Sequence, residues 1–137
     1  MNGGAVGTAY LKIAAVKTAM PFGEAFFKGV LCNLLVCLAV WIAYAGHTVT
    51  DKIVAIVLPI SAFVAAGFEH SIANLYFLPM GLLLHEGGMV AAGVDASTLN
   101  WSGFIANLLP VTLGNIVGGS VMVALVYYLV HGRAAKN

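Results

Sequence analysis

Charge is what this sequence has least of. Only 8% of its 137 residues are Asp, Glu, Lys or Arg, where ordinary soluble domains carry about 25%. Six Lys/Arg against five Asp/Glu leave a net charge of +1. No basic field exists to hold a polyanion, so no nucleic acid partner is expected. Cysteine is rarer still: Cys32 and Cys37 lie inside one apolar run, which suggests neither a disulfide framework nor a metal cluster. Both read as small apolar packing residues. Residues 1–11 lack the basic start and long apolar stretch of a signal peptide, so insertion is expected to use the internal segments. No nucleophile, base and orienting group occur together, and His47, His85 and His131 sit at the edges of apolar runs. An enzyme and a cofactor are therefore not expected.

What the sequence does have is apolar surface, at 61% of its residues. A domain of this length still exposes roughly 30% of its unfolded surface. So much apolar content cannot be hidden in a soluble monomer, and the expected solvent is the lipid bilayer.

Residues 29–45 form the first clear span, with Asn33 as its strongly polar side chain. Extended back through Phe26 and Phe27, it reaches the roughly 20 residues that cross the hydrocarbon. A helix is expected over 22–45, with Glu24 and Lys28 paired one turn apart and Trp41 and Tyr44 in an interfacial belt. Before it, residues 9–19 carry Lys12 and Lys17 among apolar neighbours. This segment reads as a short amphipathic helix on the membrane surface or over a vestibule, or as an exposed lead-in with solvated lysines. Residues 1–21 are accordingly set apart from a transmembrane domain over 22–131.

The stretch 53–84 is 32 residues long and nearly all apolar except for the adjacent Glu69 and His70. One straight helix of that length would run about 48 Å, far more than the bilayer core. Cut at Glu69, it gives two pieces that are each short for a span. A single broken helix over 52–84 fits, interrupted at 67–70, with Pro59 and Pro79 loosening its arms. Broken backbone at membrane depth is tolerated only where it is buried in protein or lines a water-filled cavity, so the break should face a pathway. The competing reading makes Glu69 and His70 a buried pair that merely joins helices.

The last span is expected over 101–130. It holds Gly114 and Gly118 at the spacing that permits close helix approach, with Asn115 as either a helix-to-helix tie or a pore residue. Arg133 and Lys136 make residues 132–137 a basic tail, expected in the cytoplasm, although Lys12, Lys17 and Lys28 argue against that orientation.

The segments FKGVLCNLLVCLAVWIAYAG, LPISAFVAAGFEHSIANLYFLPMG and NLLPVTLGNIVGG resemble the second half of the formate/nitrite transporter family. The resemblance runs from about Lys17 to Val130. It implies an all-α membrane protein whose three transmembrane spans, the middle one broken, form one inverted repeat of an aquaporin-like six-span fold. It further implies five protomers in a ring, an anion pore through each, and an inner (plasma) membrane location. Carried over by position, His70 looks like the central pore histidine and Glu69 its neighbour. Asn74, Asn33 and Lys17 resemble the polar network behind the break, and Asn115 the pore asparagine of the last span. Phe63, Ala73 and Val36 fall where the family forms its hydrophobic constrictions.

The family's first three spans have no counterpart here, so the chain resembles one repeat of two. The sequence fits a truncated chain or one completed by a second chain. The expected function is passage of small monovalent anions, formate first because the PVTLGN region looks most like the formate members, with nitrite as the alternative. Lys17 and the half-helix ends are expected to make the vestibule electropositive, and His70 to relay protons. Two other readings stay open: a small proton-coupled exporter dimerising through Gly114 and Gly118, and a non-functional fragment that folds only with a partner.

Overall fold

A computed structural model describes residues 4–132, all of it helical or connecting loop, with five helices. The basic tail proposed from Arg133 and Lys136 lies outside the described residues. Helix α1 is Ala5–Thr18, α2 is Phe22–Ala45, α3 is Val49–Ala65, α4 is Ser71–Glu86 and α5 is Trp101–Ile116. Beyond Ile116 the last helix continues with wider, π-type turns over Val117–Leu125 and Tyr128–Gly132. Two helices are long and apolar enough to cross a membrane, Phe22–Ala45 with 24 residues and Trp101–Gly132 with 32. Only 22% and 33% of their most apolar windows are buried inside the molecule. Most of their apolar surface faces outward, as lipid solvation requires.

Small residues hold α2 against α5. A Cβ on Gly114 would collide with the carbonyl oxygen of Phe26, and one on Gly118 with that of Val30. The two backbones approach too closely for any side chain there, the usual device where lipid gives helices no hydrophobic reason to associate. This occupies the face that a Gly114–Gly118 dimer would need, and so corrects the dimeric reading: the spacing serves contact within one chain. Asn33 adds a tie, its Nδ2 donating to the Asn115 carbonyl at 2.6 Å. A side-chain donor entering the carbonyl row perturbs the regular ladder, and the winding widens two residues later. At the far ends Trp41 and Tyr127 pack with ring centroids 4.3 Å apart.

Helix α1 differs from the surface or lead-in element expected of it. It begins at Ala5 and lies along α4, burying Leu11, Ala14, Ala15 and Thr18. Leu11 and Ala14 share a core cluster with Leu78 and Leu82 of α4 and with Ala91 and Leu99 of the connecting loop. The physical reason is that around Leu11 its inner face is made of the small residues Ala14, Ala15 and Thr18, which let two helices touch closely without a strong apolar stripe. Lys12 stays exposed, whereas Lys17 turns inward.

Residues 66–70 separate α3 from α4. Gly67 adopts a left-handed backbone, φ +65°, that L side chains rarely take. The Phe68 N–H donates to the Phe63 carbonyl and the Gly67 N–H to the Val64 carbonyl. That bond pair is the Schellman termination, which turns the chain out of a helix while satisfying its last carbonyls.

Candidate functional site

The helix that restarts after the break is capped by an imidazole. His70 occupies the N-cap of α4, and its Nδ1 accepts from the Ala73 N–H at 3.4 Å. An accepting Nδ1 carries a lone pair, so the ring proton resides on Nε2. The imidazole stacks on Phe63 of α3 with centroids 6.0 Å apart. His70 is therefore fixed from both arms of the break at once, by a cap on one side and a ring face on the other.

Glu69 points the opposite way, into the protein, and is only 3% exposed. Its Oε1 meets the Lys17 ammonium at 2.7 Å, and its Oε2 accepts from Asn74 Nδ2 at 2.6 Å. Asn74 also donates to Asn107 Oδ1 at 2.8 Å, and Asn107 Nδ2 donates to the Lys17 carbonyl at 2.9 Å. The circuit closes on the residue where it began, joining α1, the break, α4 and α5. Buried charge is tolerable when paired and hydrogen-bonded, and both conditions are met here. Among the described residues, Asn74 Oδ1 is the buried side-chain polar atom left without a partner.

Asn115 braces the break from behind. Its Nδ2 donates to the carbonyls of Gly29 and Glu69 at 2.9 and 3.0 Å, and its Oδ1 accepts from the Ser71 N–H at 2.9 Å. One side chain thus ties α2, the break and the first turn of α4 together. These bonds use both amide hydrogens and one oxygen lone pair of Asn115.

A groove of about 280 Å³ runs beside the break, lined among others by Lys17, Phe63, Glu69, His70, Ala73 and Asn74. The structure thus gathers six of the nine residues singled out from the sequence on one surface. Three lie elsewhere. Asn115 is behind the break, Asn33 ties α2 to α5, and Val36 lies half-buried on α2 away from the groove. The Lys17 share of the expected electropositive vestibule is corrected, because Glu69 neutralises its ammonium. A larger cavity of about 480 Å³ between α2 and the π-type continuation of the last helix, lined by Cys37, Trp41 and Tyr127 among others, is almost wholly apolar and holds no charged group.

Asn107 is the member of the circuit that sequence reasoning missed. A signal was present: Asn107, Val111, Gly114, Asn115 and Gly118 fall on one helical stripe, and all are buried.

Residues 1–129 match the family described as formate/nitrite transporter. The chain is 43% identical over 131 residues to the formate channel FocA of Escherichia coli K12, covering 90% of this chain and 46% of that protein. It is 45% identical over 123 residues to a probable formate transporter of Methanothermobacter thermautotrophicus, covering 89% and 40%. A solved pentameric formate channel with formate bound superposes with a TM-score of 0.82 at 40% identity, covering 95% of this chain and 54% of that one. The chain spans about half the length of the curated relatives it matches. With the family matched along nearly its whole length, this chain belongs to the formate/nitrite transporters, a family of membrane channels and not of enzymes.

Proposed function

We propose that this chain builds one repeat of a protomer through which small monovalent anions, formate foremost, cross the inner membrane. In this reading α2, the interrupted pair α3 and α4, and the last helix are three spans, with the C-terminus in the cytoplasm and five protomers in a ring. The observation that carries it is the pinned imidazole: His70 stands at the break with Nε2–H free of any partner among the described residues. Phe63 and Ala73 flank it with apolar surface.

An anion reaching this groove loses hydration, which after relaxation and water penetration still costs on the order of several kcal/mol unless donors replace the water. The Nε2–H of His70 supplies a donor, and the neutralised pair behind it adds no net charge to hold the anion in place. Binding stays weak enough for release, as conduction requires. Glu69 and Lys17 act as scaffold in this scheme, with Asn74 linking them to α5.

The test uses a full-length family member carrying this segment in place of its own, reconstituted in liposomes. Saturable formate uptake whose selectivity against nitrite changes in His70→Ala supports the reading. Formate and nitrite fluxes unaffected by His70→Ala between pH 5 and 8 would refute it.

A further inference from the structure

We propose that Asn107 is a positioning residue: it sets the amide orientation of Asn74 and thereby presents a hydrogen-bond donor to the Glu69 carboxylate. Only the flux arm of its test rests on the pathway reading above.

An asparagine amide has a donor end and an acceptor end of nearly equal shape, so its orientation is decided by its partners. The Asn74 donor end faces two acceptors, Glu69 Oε2 at 2.6 Å and Asn107 Oδ1 at 2.8 Å. Its acceptor end faces none among the described residues. Nothing on that side opposes rotation, and the orientation hangs on the first two contacts. Asn107 is in turn fixed by the Lys17 backbone carbonyl, which accepts from its Nδ2 at 2.9 Å. A carbonyl accepts and cannot donate. The polarity of the circuit is thus set at a main-chain oxygen of α1 and relayed through Asn107 and Asn74 to Glu69.

Both asparagines are buried, at 1% and 0% exposure, so water does not rescue a reversed amide. With Asn107 apolar, a flipped Asn74 would set its oxygen against Glu69 Oε2. The titratable groups around that carboxylate are Lys17 from α1, the adjacent His70, and Cys32 from α2, whose thiol lies within range of both charges of the pair. Helices α4 and α5 contribute only the amides of Asn74, Asn107 and Asn115 there.

The experiment is NMR on the protein in lipid nanodiscs with 15N-labelled asparagine, the Asn74 side-chain signal being assigned by its loss in Asn74→Ala. In the parent protein that NH2 pair should be protected from deuterium exchange. Asn107→Leu, branched like asparagine but without an acceptor, should speed its exchange about fivefold, the factor that one net hydrogen bond of about 1 kcal/mol is worth. Asn107→Asp keeps an acceptor toward Asn74 and, when protonated, also a donor toward the Lys17 carbonyl, so in its protonated form it should retain the protection. A purely space-filling role predicts protection retained in both variants, since neither removes side-chain bulk, and retained protection in Asn107→Leu would overturn the proposal. If Asn107→Leu does not fold, Asn107→Ala takes its place: exchange faster than in Asn107→Asp supports the role and exchange equal to it overturns it. In the liposome assay, Asn107→Leu should lower formate flux and Asn107→Asp should restore part of it. Flux unchanged while Asn74 protection is lost would leave the positioning role standing and count against the pathway reading.

Discussion

The ammonium of Lys17 and the carboxylate of Glu69 lie 2.7 Å apart with 16% and 4% of their side chains exposed, although 52 residues separate them in sequence. The pair joins α1 to the break and spans no other boundary. Removing one partner strands the other charge, which typically costs about 3–5 kcal/mol, whereas replacing both with uncharged groups of similar shape is often nearly neutral. Lys17→Met should therefore lower the unfolding midpoint in detergent strongly. Lys17→Met with Glu69→Gln should recover most of the loss. A double variant as unstable as the single one would show that the charges matter for something other than each other.

His70 has two separable jobs, the cap through Nδ1 and the ring itself. His70→Asn keeps a capping acceptor and should leave stability close to that of the parent, while His70→Ala should cost about 1 kcal/mol, the usual value of a lost N-cap. Both variants lose the imidazole, so both should alter the formate-to-nitrite flux ratio in the full-length liposome assay. Equal stability of the two variants would remove the cap from the account of the break.

How much of this could be read from sequence depends on whether burial follows hydrophobicity. Helix α2 is apolar throughout, and its expected extent coincides with Phe22–Ala45. The interruption beside Glu69 and His70 follows from length alone, because 32 apolar residues exceed one straight crossing. A short helix is expected near α1, but its burial along α4 is not, because apart from Leu11 its buried face is Ala14, Ala15 and Thr18, small residues that carry little periodic signal. Lys17 is placed in the polar network by the family resemblance, but its partner is not named there, because a lysine alone reads as solvated and Glu69 is distant in sequence. Asn107 was overshadowed by Asn115, which sits beside a glycine in mid-span, although both lie on one stripe.

The close contact of α2 with α5 can be tested by size alone. Gly118 has no room for a Cβ against the Val30 carbonyl, whereas Ser120 is exposed on the outer surface. Overpacking a tight contact costs about 1–3 kcal/mol, and where backbone must move the loss lies at the upper end. Gly118→Leu should reduce the yield of folded protein in membranes and lower its thermal midpoint. Ser120→Leu, on the outer face of the same helix, should leave both unchanged. Equal tolerance of the two leucines would mean that the backbones do not meet at Gly118.

The start of α3 carries a pH dependence of its own. Asp51 accepts from the backbone N–H groups of Thr48 and His47 at 2.9 and 3.2 Å, while the Thr48 hydroxyl accepts from the Asp51 N–H at 3.1 Å, a reciprocal capping box. These bonds, the Thr48 backbone contact foremost, hold the Asp51 carboxyl below its ordinary value. A carboxyl depressed in the folded state stabilises it fully above the unfolded value, about 3.9 for Asp, and the contribution is lost as pH falls through the lower folded value. The first turn of α3 should therefore fray under acid, with hydrogen exchange at the Thr48 and Asp51 amides quickening below about pH 4 once corrected for intrinsic rates. In Asp51→Asn the neutral side chain still accepts but no longer titrates, so this acid step should disappear while the turn stays folded near neutrality. An acid step that persists in Asp51→Asn would assign it to another group.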